Sequence, residues 1–152
     1  MTQRQWPDPL IAPNPEIVQR DLATFWTQLA QLADLIARRQ LLLAHSALSE
    51  LRQTVVALML ALNGIARPHA TVALNAYLSA SQRTALEKTL HLPTVDQESL
   101  IGQAVALTVI YRWYAPQLVD KFDLSYPHPQ EQAAWVELVN HLPDWPQHVH
   151  TD

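Results

Sequence analysis

The 152-residue sequence predicts an all-α fold, an up-down antiparallel bundle of four to five main helices, on three observations. It holds only 2 glycines, while Ala, Leu and Gln abound, a bias toward helix over a sheet with glycine-marked turns. Apolar residues recur at alternating steps of three and four, the period of a helix with one buried stripe. Prolines crowd the start (Pro7, Pro9, Pro13, Pro15) and the end (Pro127, Pro129, Pro143, Pro146), leaving the middle free to be helical. With 49% hydrophobic and 16% charged residues, the chain suits one domain with a real core. The expected division is an extended proline-rich segment at 1–14, a helical bundle at 15–142 and a tail at 143–152.

The first helix opens at Asn14-Pro15-Glu16: Asn14 caps the free N–H groups, Pro15 takes the first helical position and Glu16 faces the positive dipole end. Its stripe is Val18, Leu22, Phe25, Leu29, Leu32 and Ile36. A tight turn without glycine at Arg38-Arg39-Gln40 is favoured over one uninterrupted helix. The second helix spans Gln40 to Asn63, with Leu41, Ala44, Leu48, Leu51, Val55, Leu58 and Leu62 inward, and stops at Asn63-Gly64. It is apolar nearly all round from Val55 to Leu62, which predicts the central position in the bundle.

Shorter segments follow at His69 to Leu78 and Ser81 to Leu90. Thr94 and Gln97 have the spacing of a capping box, with Asp96 the alternative cap. The next helix carries Leu100, Ala104, Leu107, Tyr111, Tyr114 and Leu118 on one face, with a kink expected at Pro116. The last runs from His128-Pro129 to Leu142, with Ala133, Val136, Leu138 and Val139 inward and Glu131, Glu137 and Asn140 outward. Each of the three longest helices, at about 20 residues, spans roughly 30 Å.

Absences narrow the chemistry. With no cysteine there is no disulfide scaffold and no cysteine zinc site, and cytoplasm is the default compartment. The opening MTQRQWPDPLIAPNP does not read as a signal peptide, and the longest apolar run, Val55 to Leu62, is far short of the roughly 18 residues of a membrane span. A net charge of -4 offers no global attraction to nucleic acid. There is no glycine-rich phosphate loop, Gly-x-Ser-x-Gly elbow or HExxH, so a self-contained phosphoryl- or acyl-transfer enzyme is not expected, and no cofactor is implied. His148 and His150 lie in the tail without carboxylate support for a metal.

Two groups of residues are candidates for binding. Arg38, His45, Ser49 and Arg52, at steps of seven, four and three, would share one side of a continuous helix able to hold an anion, but relative to the core stripe His45 and Arg52 take an outer position, and a solvated face is the stronger reading there. Arg112 interrupts an otherwise apolar stretch from Ile101 to Ala115 and needs a partner, with Asp34, Glu50 and Glu98 the candidates for an ion pair. Trp26 and Trp113 sit beside core stripes as packing residues would.

The segment FWTQLAQLADLIARRQLLLAHSALSELRQTVVALM resembles the start of the helical C-terminal domain of aminoglycoside- and lincosamide-type nucleotidyltransferases. LTVIYRWYAPQLVDKFDLSYPHPQEQAAWVELVNHL resembles that domain's closing helices. The resemblance covers most of Phe25 to Leu142 and places the chain near the HEPN-like helical bundles. It implies a non-catalytic substrate- or partner-binding module beside a nucleotidyltransferase catalytic domain on another chain, since no Asp-x-Asp pair for magnesium and nucleotide is present here. Some HEPN-like proteins are dimeric ribonucleases carrying an Arg a few residues before a His, and Arg38 or Arg39 with His45 fits that spacing. A structural homodimer is the third reading.

Overall fold

The computed structural model describes residues 5–91 and 93–146. Among them are five α-helices, α1 (Pro15–Ala37), α2 (Leu41–Leu62), α3 (Ala80–Lys88), α4 (Gln97–Phe122) and α5 (His128–His141), with a 3-10 turn at Leu74–Tyr77 and no strand. The all-α bundle is thus observed. His148 and His150 lie outside the described residues.

Local chemistry sets the helix ends. Asn14 Oδ1 accepts from the Glu16 N–H at 2.9 Å, and Pro15 follows in the first turn. The turn after α1 is a Schellman closure: Arg39 N–H donates to Ile36 and Gln40 N–H to Leu35. Its left-handed residue is Arg39, at φ 58°, where glycine is usual. α2 ends in the same pattern with Gly64 at φ 85°. Asp96 caps α4, accepting from the Ser99 N–H, so of the two alternatives at that start Asp96 serves. The capping box that does form is Ser79 with Gln82, at the start of α3. Only the 3-10 turn is helical in the stretch from His69 to Leu78.

Cross-helix bonds fix the directions. Gln97 Nε2 donates to Ile36 O (2.9 Å), so α4 starts where α1 ends, and Lys121 Nζ donates to Leu62 O (2.7 Å), so α4 ends where α2 ends. His141 Nε2 lies 3.8 Å from Asp34 Oδ1, setting the end of α5 beside the end of α1. Therefore α1 and α5 run one way and α2 and α4 the other. Residues 63–96 bring the chain back along α2. At one end of this return Asn63 and Gln82 exchange amide hydrogen bonds (2.8 and 3.0 Å); farther along Arg52 donates to Thr89 Oγ1 and O (3.0 and 2.8 Å).

The expected central position of the second helix is corrected. α1 packs against α2, α4 and α5, whereas α2 packs against α1 and α4, because the return segment covers α2's remaining apolar side. The expected inner face of the last helix is corrected too. Leu138 is buried as expected, but Val136 and Val139 are exposed and Ala133 faces solvent, with Ala134 buried instead. On α4 the buried face runs through Ala115, with Tyr114 half-buried, and the helix continues past Pro116 to Phe122.

The N-terminal strap is tied down at Ile11, whose carbonyl accepts from the Ala66 N–H at 2.7 Å, and at Asp8. Asp8 Oδ2 accepts from Thr71 Oγ1 and Tyr77 OH, each at 2.6 Å, and Trp6 stacks on Tyr77 at 5.5 Å. These two hydrogen bonds hold Asp8 below its ordinary 3.8. The sign follows: the strap's stabilisation is present above that ordinary value and is lost as pH falls through the lower folded one. Acidification below about pH 4 is expected to unstack Trp6, seen as a tryptophan fluorescence change that Asp8→Asn reproduces at neutral pH. An acid titration with the same profile in wild type and Asp8→Asn would refute the tether.

Candidate functional site

The most constructed polar arrangement lies where α4, α5 and the loop between them meet α1. Asp123, at φ 54° in the left-handed region, closes α4. The loop is then gripped by α1: Gln19 Nε2 donates to Ser125 O (2.7 Å), and Ser125 N–H donates to Gln19 Oε1 (3.0 Å). This double bond presents Tyr126. Pro127 and Pro129 flank His128 at the start of α5 and prevent the two helices from merging.

Arg112 on α4 is the centre. Its Nη2 donates to Glu131 Oε1 on α5 at 2.9 Å, and its guanidinium carbon lies 5.4 Å from the Trp26 ring centre and 5.7 Å from that of Trp135. The cation is thereby held between rings from α1 and α5. The side chains of Arg112 and Glu131 are 22% and 17% exposed, so the pair is screened from bulk water without being sealed. Arg112 Nε is buried and meets no acceptor among the described residues. Arg112, Pro116, Tyr126, His128 and Glu131 line a cavity of about 280 Å³. Pro116 has no N–H, so the Arg112 carbonyl also lacks its helical donor.

Beneath the ion pair lies an aromatic floor. Trp26 Nε1 donates to Tyr111 OH (3.1 Å), which donates to Leu22 O (2.8 Å), and Phe25 stacks on Tyr111 at 4.0 Å. Burial pushes both phenols, Tyr111 and Tyr126, well above the ordinary tyrosine value, and the hydrogen bond and charge of Glu131 add to it at Tyr126. Both hydroxyls therefore stay protonated at neutral pH. The cleft thus presents one cation, partly compensated by Glu131, beside the rings of Tyr126 and His128.

The sequence candidates divide. The helix breaks between Arg38 and His45, so the four residues of the first group do not share one continuous face. Arg38 caps the end of α1, exposed, with Nε on Asp34 at 2.9 Å, and Arg39 is exposed in the turn. On α2, His45 is exposed, Ser49 is half-buried and Arg52 is bound to Thr89. Only Arg112 lies in the cleft. It has the expected ion pair, but with Glu131 in place of Asp34, Glu50 or Glu98: α5 turns its Glu131 and Trp135 side toward Arg112, the reverse of the outward position expected for Glu131. Trp113, expected among the packing residues, is 54% exposed.

Trp26, Tyr126, His128, Glu131 and Trp135 were not singled out as a site from the sequence. Their one local signal is a cation in an apolar helix, which announces a pocket without naming its walls. A larger groove of about 500 Å³ at the other end of α5 is lined by Gln97, Glu98, Ile101, His141 and Asp144 among others. Its His141 is held by Glu137 at 2.9 Å and lies 3.8 Å from Asp34 Oδ1, which also takes Arg38 Nε at 2.9 Å, so these groups answer one another. Among the described residues no cluster of His, Asp or Glu has metal-binding geometry, and no helix is long and apolar enough to cross a membrane. No protein-family model matches the chain, and comparisons with curated proteins and with solved structures find no match.

Proposed function

We propose that this chain is a non-catalytic binding module that takes a carboxylate or phosphate of a substrate, or of a partner such as a separate nucleotidyltransferase chain, at Arg112. The observation that carries the reading is the Arg112 Nε, buried beside the cleft with no acceptor of its own. Buried donors are nearly always satisfied, and an orphan at a cleft wall is what a missing ligand or ordered water leaves behind. The two rings hold the cation before any ligand arrives, which lowers the ordering cost of binding. Tyr126 and His128 add an aromatic wall, and the small volume suits one acidic group or a ligand fragment.

Thermal denaturation at constant ionic strength tests it. Phosphate, citrate or ATP is expected to raise the melting temperature relative to chloride. Saturation at 100 times Kd corresponds to about 2.7 kcal/mol, several degrees for a domain of this size. The double variant Arg112→Met/Glu131→Gln should abolish the rise without leaving an unpaired charge. Absence of any rise with all three anions overturns the site. The chain alone should neither adenylylate an aminoglycoside with ATP and magnesium nor cleave RNA. Transfer, or RNA cleavage lost in His45→Ala, overturns the non-catalytic part.

A further inference from the structure

A small cavity of about 160 Å³ lies where residues 63–96 return along α2. Much of its wall is apolar: Val56 of α2, Leu74 and Leu78 at the two ends of the 3-10 turn, and Leu86 of α3. Two arginines line the same space, Arg52 from α2 and Arg83 from α3, and both are half-buried. Each is held in place by neutral acceptors. Arg52 donates from Nε and Nη2 to Thr89 Oγ1 and O, and Arg83 donates from Nη1 to the carbonyls of Asn75 (3.1 Å) and Leu78 (2.9 Å).

Carbonyls and hydroxyls orient a guanidinium without removing its charge. Among the described residues neither Arg52 nor Arg83 forms an ion pair, unlike Arg38 and Arg112. Burial, with no neighbouring carboxylate to offset it, lowers the pKa of Arg52 from its ordinary value. Both groups also carry more N–H donors than these bonds use: Arg52 keeps Nη1, and Arg83 keeps Nε and Nη2. Tying the return segment to α2 would account for the bonds to Thr89, Asn75 and Leu78. It does not account for two uncompensated cations against one apolar wall, where a charge is costly unless something answers it. The cavity has one carboxylate at its edge, the exposed Glu87. Two cations and one carboxylate leave a single positive charge.

We infer that this cavity binds a small monocarboxylic acid bearing one apolar group, its carboxylate on Arg52 and Arg83 and its apolar part against Val56, Leu78 and Leu86. The charge fits a monoanion, because Glu87 repels a second negative charge. The size fits one ring or a short branched chain, since an apolar cavity of about 150 Å³ accepts a benzene molecule. A few convergent polar groups on an apolar wall are the ordinary make-up of a small-molecule site. The cavity shares no residue with the Arg112 cleft, so the two readings stand or fall separately.

NMR titration with benzoate and isovalerate, read at the side-chain Nε–H signals of Arg52 and Arg83, tests it, with acetate, benzyl alcohol and phosphate as controls. Both signals should move and saturate together. Benzoate should bind about tenfold or more tighter than acetate, because its ring is buried. Benzyl alcohol, lacking the charge, and phosphate, lacking the apolar part, should bind no better than acetate. Gln53→Glu, at an exposed position on the cavity wall, supplies a competing carboxylate and should weaken benzoate about tenfold, with circular dichroism unchanged. Glu87→Gln should tighten it, and Arg112→Met/Glu131→Gln should leave it as in wild type. Signals that stay still with both acids overturn the inference, as does acetate or phosphate binding as tightly as benzoate. Binding indifferent to Gln53→Glu, or lost in Arg112→Met/Glu131→Gln, puts the acid elsewhere and refutes this site.

Discussion

Trp26→Ala is expected to lower the stability of the folded chain by about 3–5 kcal/mol, a large part of the 5–15 kcal/mol typical of a domain. Trp26 is 0% exposed and joins α1 to α4 in three ways. Its ring packs edge-on against Phe25 and Tyr111, at 5.2 and 5.3 Å. Its Nε1–H supplies the Tyr111 hydroxyl, and its face lies 5.4 Å from the Arg112 guanidinium carbon. Alanine leaves a cavity between two long helices, removes a donor from a buried phenol and strips one wall from a cation. Neighbouring rings cannot close the gap, because Phe25 and Tyr111 are already stacked on each other. Trp26→Phe keeps most of the volume and loses the N–H, so it should cost less, about 1–3 kcal/mol. Urea denaturation reads both. A Trp26→Ala midpoint equal to that of Trp26→Phe would show that the ring's volume does not wedge α1 against α4.

What could be read from the sequence divides along a physical line. Features fixed within one or two turns of chain were legible: the Asn14-Pro15-Glu16 start, the stripes of α1 and α2, the turn at Arg38-Arg39 and the stop at Asn63-Gly64. Arg39 shows how strong that local logic is, since the turn forms even though a non-glycine residue must enter the left-handed region. The register of α5 was not legible. That helix has few large apolar residues, so although Leu138 reads inward correctly, the choice between Ala133 with Val136 on one side of it and Ala134 on the other is nearly even by periodicity. The choice is made by Arg112, which draws Glu131 and Trp135 to its side. The site was hidden for the same reason: its members come from α1, α4, the loop and α5, with no shared spacing. Arg112 alone stood out, because a cation in an apolar helix is a local anomaly that tertiary contacts must answer. The return of residues 63–96 along α2 depends on side-chain bonds such as Asn63 to Gln82, which no periodicity encodes.

Glu131→Leu should be the second most damaging substitution, costing about 2 kcal/mol or more. The attraction lost is only part of that figure, since an ion pair facing a cleft is weakened by nearby water. Most of the cost comes from what remains: a guanidinium 22% exposed, held between Trp26 and Trp135, with neither its carboxylate nor an acceptor for Nε. Arg112→Met leaves the converse, a carboxylate without its cation beside Tyr126. Removing both charges together in Arg112→Met/Glu131→Leu removes the uncompensated ion, so the double variant should be more stable than Glu131→Leu alone. The coupling separates two roles for the pair. If it serves only to join α4 and α5, the double variant keeps the fold and nothing else is lost. If Arg112 receives an acidic group, the double variant folds well but no longer gains stability from phosphate, citrate or ATP. A double variant no more stable than Glu131→Leu would mean that the two side chains do not act as a pair, and the cleft would lose its electrostatic rationale.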